Sequence, residues 1–188
     1  SYFASFLSKK NNLRIATARA GNVIGGGDWS KDRILPDLIK SIKSKKTLKI
    51  RYPNSTRPWQ HVLEPIYGYL FLAHNLFTKE KNNGESFNFG PKFIKNYKVI
   101  ALLKEFKKYL PQIKWKKELN KIKLHEAGLL NLNSNKSFKN LRWKNILNFK
   151  ETIKMTAEWY LFYLNNHNVK KTTFNQINIY KKKLNRNN

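Results

Sequence analysis

Residues 13–37 constrain this chain more than any other stretch. Leu13-Arg-Ile-Ala-Thr-Ala-Arg19 has the alternating, β-branched texture of a buried strand, which runs on past Asn22 to about Ile24. Gly25-Gly-Gly27 then breaks the run, and a helical spacing at Ile34, Leu38, Ile39 and Ile42 follows Arg33 and Pro36. A strand that passes through a glycine turn into an amphipathic helix is an α/β unit, because both elements need a common core to cover their apolar sides.

The rest of the chain continues the alternation. Residues 1–8 read as the end of a helix, and 48–52 as a short strand ahead of the Pro53-Asn54 turn. Leu63 to Phe77 carries the strongest helical stripe: Ile66, Leu70, Ala73 and Phe77, widened by Tyr67, Tyr69 and Phe71, the kind of face that turns toward a core. Further strands are predicted at 85–89, 113–115 and 129–132, and further helices at 99–110 and 149–164. From Asn165 the apolar pattern fades into Asn- and Lys-rich sequence, a frayed segment or a loosely docked extra helix. The whole reads as α/β with a more irregular C-terminal side.

At 188 residues the chain can bury one ordinary core. It holds 38 Lys and Arg against 11 Asp and Glu, a net charge of +27, which would draw polyanions. The Lys residues, however, are spread from Lys9 to Lys183 without a compact block, and Asn is abundant beside them. That distribution argues for a solvated basic surface over a nucleic-acid face. No cysteine is present, which excludes disulfides and thiolate metal sites and fits a reducing cytoplasm. No apolar run approaches the ~18 residues of a spanning helix, so no membrane partner is expected. The histidines, His61, His74, His125 and His167, show no metal-ligand spacing.

Two segments concentrate polar chemistry. Asn22 stands where a buried strand meets a loop, the end at which open α/β sheets meet their ligands. It can serve a sugar hydroxyl or phosphate, or shape the local turn. Gly25-Gly-Gly27 is either a nest of backbone N–H groups or a flexible turn, and its spacing is not G-x-G-x-x-G. Arg57-Pro-Trp-Gln-His-Val-Leu-Glu-Pro65 sets a fork-shaped cation beside an aromatic, an amide and a histidine. Arg57 suits a diphosphate; it would equally pair with Glu64, with Trp59 filling core. His61 is a catalyst or a hydrogen-bonded structural residue.

Together these two segments resemble the extended short-chain dehydrogenase/reductases, in the NAD-dependent epimerase/dehydratase family, and most closely the CDP-glucose 4,6-dehydratases. Phe87-Asn-Phe-Gly90 is similar to the family's strand end near the substrate. His125-Glu-Ala127, Leu132-Asn-Ser-Asn-Lys136 and Leu141-Arg-Trp143 resemble its late HEA, L-D-x-S-K-A and L-G-W run. Asn133 and Asn135 depart from the usual Asp and Ser there, Ser137 from Ala, and Arg142 from Gly. The glycine fingerprint for the cofactor and the Tyr-x-x-x-Lys pair are absent from these residues; Tyr2 is followed four places later by Phe6.

The resemblance implies an α/β fold, the C-terminal part of a Rossmann-like extended short-chain dehydrogenase/reductase with a small α+β substrate-binding region. It covers residues 1–165, followed by a basic Asn/Lys-rich tail at 166–188. It implies a lyase that uses NAD to oxidise the sugar at C4, eliminates water across C5 and C6 and returns the hydride to C6, giving a 4-keto-6-deoxy sugar nucleotide for polysaccharide synthesis. Substrate-binding residues carried over are Asn22, Arg33 and Arg57, with Pro36, His61 and His125. Catalytic residues and the main NAD contacts would lie in an N-terminal part, without which this chain would be inactive. Family members commonly form homodimers. Two other readings stay open: another nucleotide-sugar epimerase or reductase of the superfamily, and a non-catalytic basic binding module.

Overall fold

The strand expected over 13–24 forms as two short ones that belong to different ladders. In the structure, a computed structural model that describes residues 5–6, 13–78, 82–91, 97–118 and 132–187, β1 is Thr17–Ala20 and β2 is Val23–Ile24. The break falls at Gly21, where a Cβ would come within 3.1 Å of the Pro58 ring. Next come α1 (Ile34–Lys43), β3 (Leu48–Ile50), β4 (Thr56–Arg57), β5 (Gln60–His61) and α2 (Leu63–Thr78). Beyond them lie β6 (Ser86–Phe89), β7 (Tyr97–Lys98), α3 (Val99–Lys107) and β8 (Trp115–Lys117). A π-helical turn at Ser137–Leu141 leads to α4 (Phe149–Leu164) and α5 (Val169–Asn187).

Three of the ladders are parallel, β1 with β6, β2 with β5 and β3 with β8; β4 pairs with β7 antiparallel. Parallel pairing needs long crossovers, and α1 and α2 supply the one between β1 and β6. Leu35, Leu38 and Ile39 of α1, Leu102, Leu103 and Phe106 of α3, and Ile153, Ala157 and Tyr160 of α4 enclose the larger core together with β3. A second cluster, Leu72, Phe87, Phe89, Leu141 and Trp143, lies between α2 and β6, so Trp143 is a core residue.

One finding differs from expectation, and another decides between the two readings left open for the tail. The stripe Ile66, Leu70 and Phe77 of α2 does not face this core; it is 45%, 68% and 83% exposed. The packed face carries Glu64, Pro65, Gly68, Leu72 and Asn75, because only a glycine at position 68 lets the helix approach Phe89. Arg14 fastens the far end of α2, donating to the carbonyls of Leu76 (2.9 Å) and Phe77 (2.7 Å). The tail beyond residue 165, in turn, forms a 19-residue helix with Thr172, Gln176 and Tyr180 buried. The strand expected at 129–132 falls, except for Leu132, outside the described residues, as does most of the helix end at 1–8. Among the described residues no helix is long and apolar enough to cross a membrane.

Candidate functional site

The loop after β2 is held rigid from below. A Cβ on Gly25 would lie 2.5 Å from Val62, and one on Gly26 only 2.0 Å from the Trp159 ring; Gly27 takes φ +82°. Close packing and a left-handed turn therefore account for the three glycines. Trp159 sits in α4 against Tyr160 and Tyr163. Trp29 leans over the same two tyrosines. The Tyr160 hydroxyl donates to the Asp28 carbonyl at 3.0 Å, and its pKa is pushed up to about 12 by burial, so it is a permanent donor.

Above this support opens a cleft of about 750 Å³, within the usual size of a small-molecule site. One wall is the glycine loop and the start of α1, contributing Asn22, Asp28, Asp32, Arg33, Pro36 and Asp37. The other is β3 and the strand through β4, contributing Lys49, Arg51, Arg57 and Trp59, with Glu118 at the end of β8. The structure thus brings four of the sequence-derived candidates, Asn22, Arg33, Pro36 and Arg57, to one cleft.

Asn22 gives its backbone carbonyl to Gln60 N at 3.0 Å and lines the cleft. Arg33 precedes α1 in extended conformation and reaches Asp28 at 3.3 Å. Burial opposes ionisation of Asp28, but bonds from Ser30 and the charge of Arg33 hold its carboxyl below the ordinary value. Burial pushes Asp37 the other way, aided by Asp32 and opposed by Lys40 and Arg51. Pro36 lies in the first turn of α1, where a missing N–H costs nothing. Arg57 is buried and donates to the Thr56 carbonyl at 2.8 Å. Trp59 anchors the same wall by donating from Nε1 to the Tyr97 carbonyl at 3.1 Å.

Arg57 does not pair with Glu64. That carboxylate instead accepts from Ile146 N (2.8 Å), Leu147 N (2.6 Å) and the Tyr180 hydroxyl (2.8 Å). His61 is not brought to the cleft: β5 carries it beneath α4, where it is 1% exposed. Its Nδ1 accepts from Leu63 N at 3.3 Å, and Nε2 has no partner among the described residues. Burial lowers its pKa to about 4, so it is neutral at pH 7. His125 lies outside the described residues. Lys49, Arg51, Asp28 and Glu118 had no site role from sequence; the signal for the first two was the short strand at 48–52, whose neighbours in space were hidden, and Asp28 lay unassigned within the 13–37 stretch. No group of His, Asp and Glu that could hold a metal occurs among the described residues.

Comparison with known proteins agrees with this architecture. No family model matches the chain. The CDP-glucose 4,6-dehydratase of Salmonella typhimurium is 35% identical over 162 residues, covering 85% of this chain and 45% of that protein. Among solved structures, UDP-glucuronic acid 4-epimerase from Bacillus cereus, in complex with UDP-glucuronic acid and NAD, superposes with TM-score 0.68 at 19% identity, over 85% of this chain and 47% of that one. The epimerase Mth375 from Methanothermobacter thermautotrophicus gives 0.72 at 18%, over 90% and 48%. The dTDP-glucose 4,6-dehydratase from Bacillus anthracis, in complex with NAD, gives 0.62 at 15%, over 85% and 47%. The chain spans about half the length of these relatives. The chain is thus similar over most of its length to a CDP-glucose 4,6-dehydratase, and it has the Rossmann-type fold of these epimerases and dehydratases.

Proposed function

We propose that this chain holds the nucleotide-sugar of a CDP-glucose 4,6-dehydratase and is inactive without the dinucleotide-binding part that its relatives' greater length provides. The observation that carries this reading is the convergence of Asn22, Arg33, Pro36 and Arg57 on one cleft, in a chain 35% identical to a CDP-glucose 4,6-dehydratase. Arg57 and Arg33 meet the diphosphate, since planar guanidinium groups engage two phosphate oxygens at once. Asn22 meets sugar or phosphate oxygens with both donor and acceptor, and Trp59 excludes water from one side of the ligand. The acids on the α1 wall, Asp28 and Asp37, keep the cleft from being uniformly cationic and orient Arg33 through Asp28.

The residues present do not fit NAD. The glycine turn at residues 25–27 is filled from behind by Val62 and Trp159 and offers no open cradle, and no Tyr-x-x-x-Lys pair occurs in the sequence. In this reading the redox chemistry belongs to the remaining part, and this chain binds and orients the substrate. His61 supports β5 and is not assigned a substrate contact; His125 stays a candidate carried by the resemblance alone.

Calorimetric titration of the chain with CDP, UDP and dTDP tests the reading. CDP binds, and Arg57→Ala weakens it at least about tenfold, the cost of one charge-assisted phosphate contact. CDP-glucose with added NAD gives no product with this chain and gives the 4-keto-6-deoxy sugar when the chain is joined to a relative's dinucleotide-binding part. Turnover by the chain alone, or no preference for CDP, overturns the reading. An epimerised sugar from the joined protein would move the assignment to the family's epimerases.

A further inference from the structure

The helix α5 touches neither ligand nor cleft, yet it reaches the supports of both cleft walls. Thr173 Oγ1 accepts from Trp159 Nε1 at 2.9 Å, and Trp159 is the ring on which Gly26 rests. One residue further along α4, Tyr160 holds the Asp28 carbonyl, and Asp28 holds Arg33. Two turns later in α5, the Tyr180 hydroxyl donates to Glu64 Oε2 at 2.8 Å, while Glu64 Oε1 takes the N–H groups of Ile146 and Leu147. Glu64 opens α2 directly after the extended run that carries Arg57 and Trp59. Between these two points α5 is fixed to α4 by Gln176, donating to the Met155 carbonyl at 2.6 Å, and beyond Tyr180 by Lys183 on Glu151 at 2.7 Å.

We propose that α5 is a clamp that sets the spacing of the two cleft walls, with Thr173 as the positioning residue for the glycine-loop wall and Tyr180 for the Arg57 wall. The physical basis is that each bond fixes a side chain that is itself a floor for a wall: Trp159 cannot shift without freeing Gly26, and Glu64 is the common acceptor of three donors from two other chain segments. A ligand held between a loop on one wall and a strand on the other is sensitive to sub-ångström changes in their separation. The assignment of the ligand rests on the reading given above; the clamp itself does not.

The test uses the whole chain with Thr173→Val, Thr173→Ser and Tyr180→Phe, reading CDP affinity by calorimetry and amide exchange by mass spectrometry. Thr173→Val is expected to weaken CDP binding about fivefold, the equivalent of one net hydrogen bond, and to speed exchange in residues 25–33. Thr173→Ser, which keeps the acceptor, restores both. Tyr180→Phe is expected to weaken CDP by a similar factor and to speed exchange at 57–64 and 145–147. Unchanged CDP affinity, with faster exchange confined to α5 and melting alone affected, overturns the clamp. Failure of the unaltered chain to bind CDP overturns the nucleotide assignment instead, and the exchange pattern in the two walls then decides the clamp by itself.

Discussion

Helices α2 and α5 invert the ordinary amphipathic pattern in opposite ways. On α2 the apolar stripe Ile66, Leu70 and Phe77 faces outward, while Glu64, Gly68 and Asn75 are buried. On α5 the buried positions Thr172, Gln176 and Tyr180 are polar, and Phe174 and Ile179 face outward. The resemblance ends there. Every buried polar side chain of α5 has a partner: Thr172 on the Asn168 carbonyl, Gln176 on Met155, Tyr180 on Glu64. That helix is docked by hydrogen bonds, and its outward apolar residues stand singly, as on most surfaces. On α2 the outward residues are the large apolar ones of a single stripe, and the segment that leads into β1 and is tied to the end of α2 by Arg14 exposes Leu13 and Ile15 as well, while β1 pairs on one edge alone among the described strands. Parallel sheets are normally covered on both faces, and the relatives are about twice as long. An outward apolar row is thus read by what surrounds it: scattered on α5, assembled on α2.

The largest effect falls where the two helices meet. Glu64→Leu would leave the N–H groups of Ile146 and Leu147 and the Tyr180 hydroxyl without their acceptor. Orphaning buried donors of this kind costs about 3–5 kcal/mol in all, measured by urea denaturation. A loss below about 1 kcal/mol would mean that α5 is not docked through Glu64 and that the contrast with α2 is void.

The same carboxyl gives a pH signature nearly as large. Burial raises the Glu64 pKa to about 7, against the three donors that lower it, so its contribution is full below about pH 4.5 and is lost as pH rises through 7. His61, with its pKa lowered to about 4, acts in the opposite sense: its contribution is full above about pH 6.5 and is lost as pH falls through 4. Between them the two slopes oppose each other. Glu64→Gln removes one, and stability should then rise by about 3 kcal/mol from pH 4 to 6.5. Parallel pH profiles for the variant and the unaltered chain would show that these two groups do not govern the window.

How much of this was readable in the sequence follows from the same physics. Helix α4 was legible at both ends because its apolar positions recur regularly and Asn148 with Glu151 forms a capping box. Helix α5 was legible only as one of two readings, a docked extra helix or a frayed segment, since its contact stripe is Thr, Gln and Tyr, which a hydropathy pattern scores as solvent. For α2 the pattern found the helix and mistook the face, because the close approach to Phe89 selects the side that carries Gly68, which a hydropathy pattern does not mark. Strands β4, β5 and β7 have two residues each, too few to show a period of two. At the site, Asn22, Arg33, Pro36 and Arg57 were marked by their motifs. His61 shares the motif of Arg57, but the chain turns under α4 before reaching it. Lys49, Arg51 and Glu118 reach the cleft only through the pairing of β3 with β8, a contact between distant residues that local patterns do not encode.

Gly68 gives the intermediate test, on the buried face of α2. A Cβ there would meet the Phe89 ring at 2.3 Å, and Phe89 is itself enclosed by Tyr69 and Trp143. Gly68→Ala should therefore destabilise by about 1–3 kcal/mol despite the better helix propensity of alanine. A variant as stable as the parent would show that α2 can lift from the sheet without cost, and its packed face would lose its meaning.

The smallest expected change in stability is on the other face, and it discriminates most sharply. If Leu70 and Phe77 are uncovered, Leu70→Gln and Phe77→Gln remove no contact, and each should alter stability by no more than about 0.5 kcal/mol. Both residues nevertheless add to an exposed apolar patch of the kind that drives association, so the double variant should self-associate less in sedimentation velocity while melting with the parent. When the chain is joined to a relative's dinucleotide-binding part, the same substitutions should become costly if that part packs on the row, since a glutamine must then be buried without a partner. Equal tolerance in the joined protein would show that the α2 row is ordinary surface, no different in kind from Phe174 and Ile179 on α5.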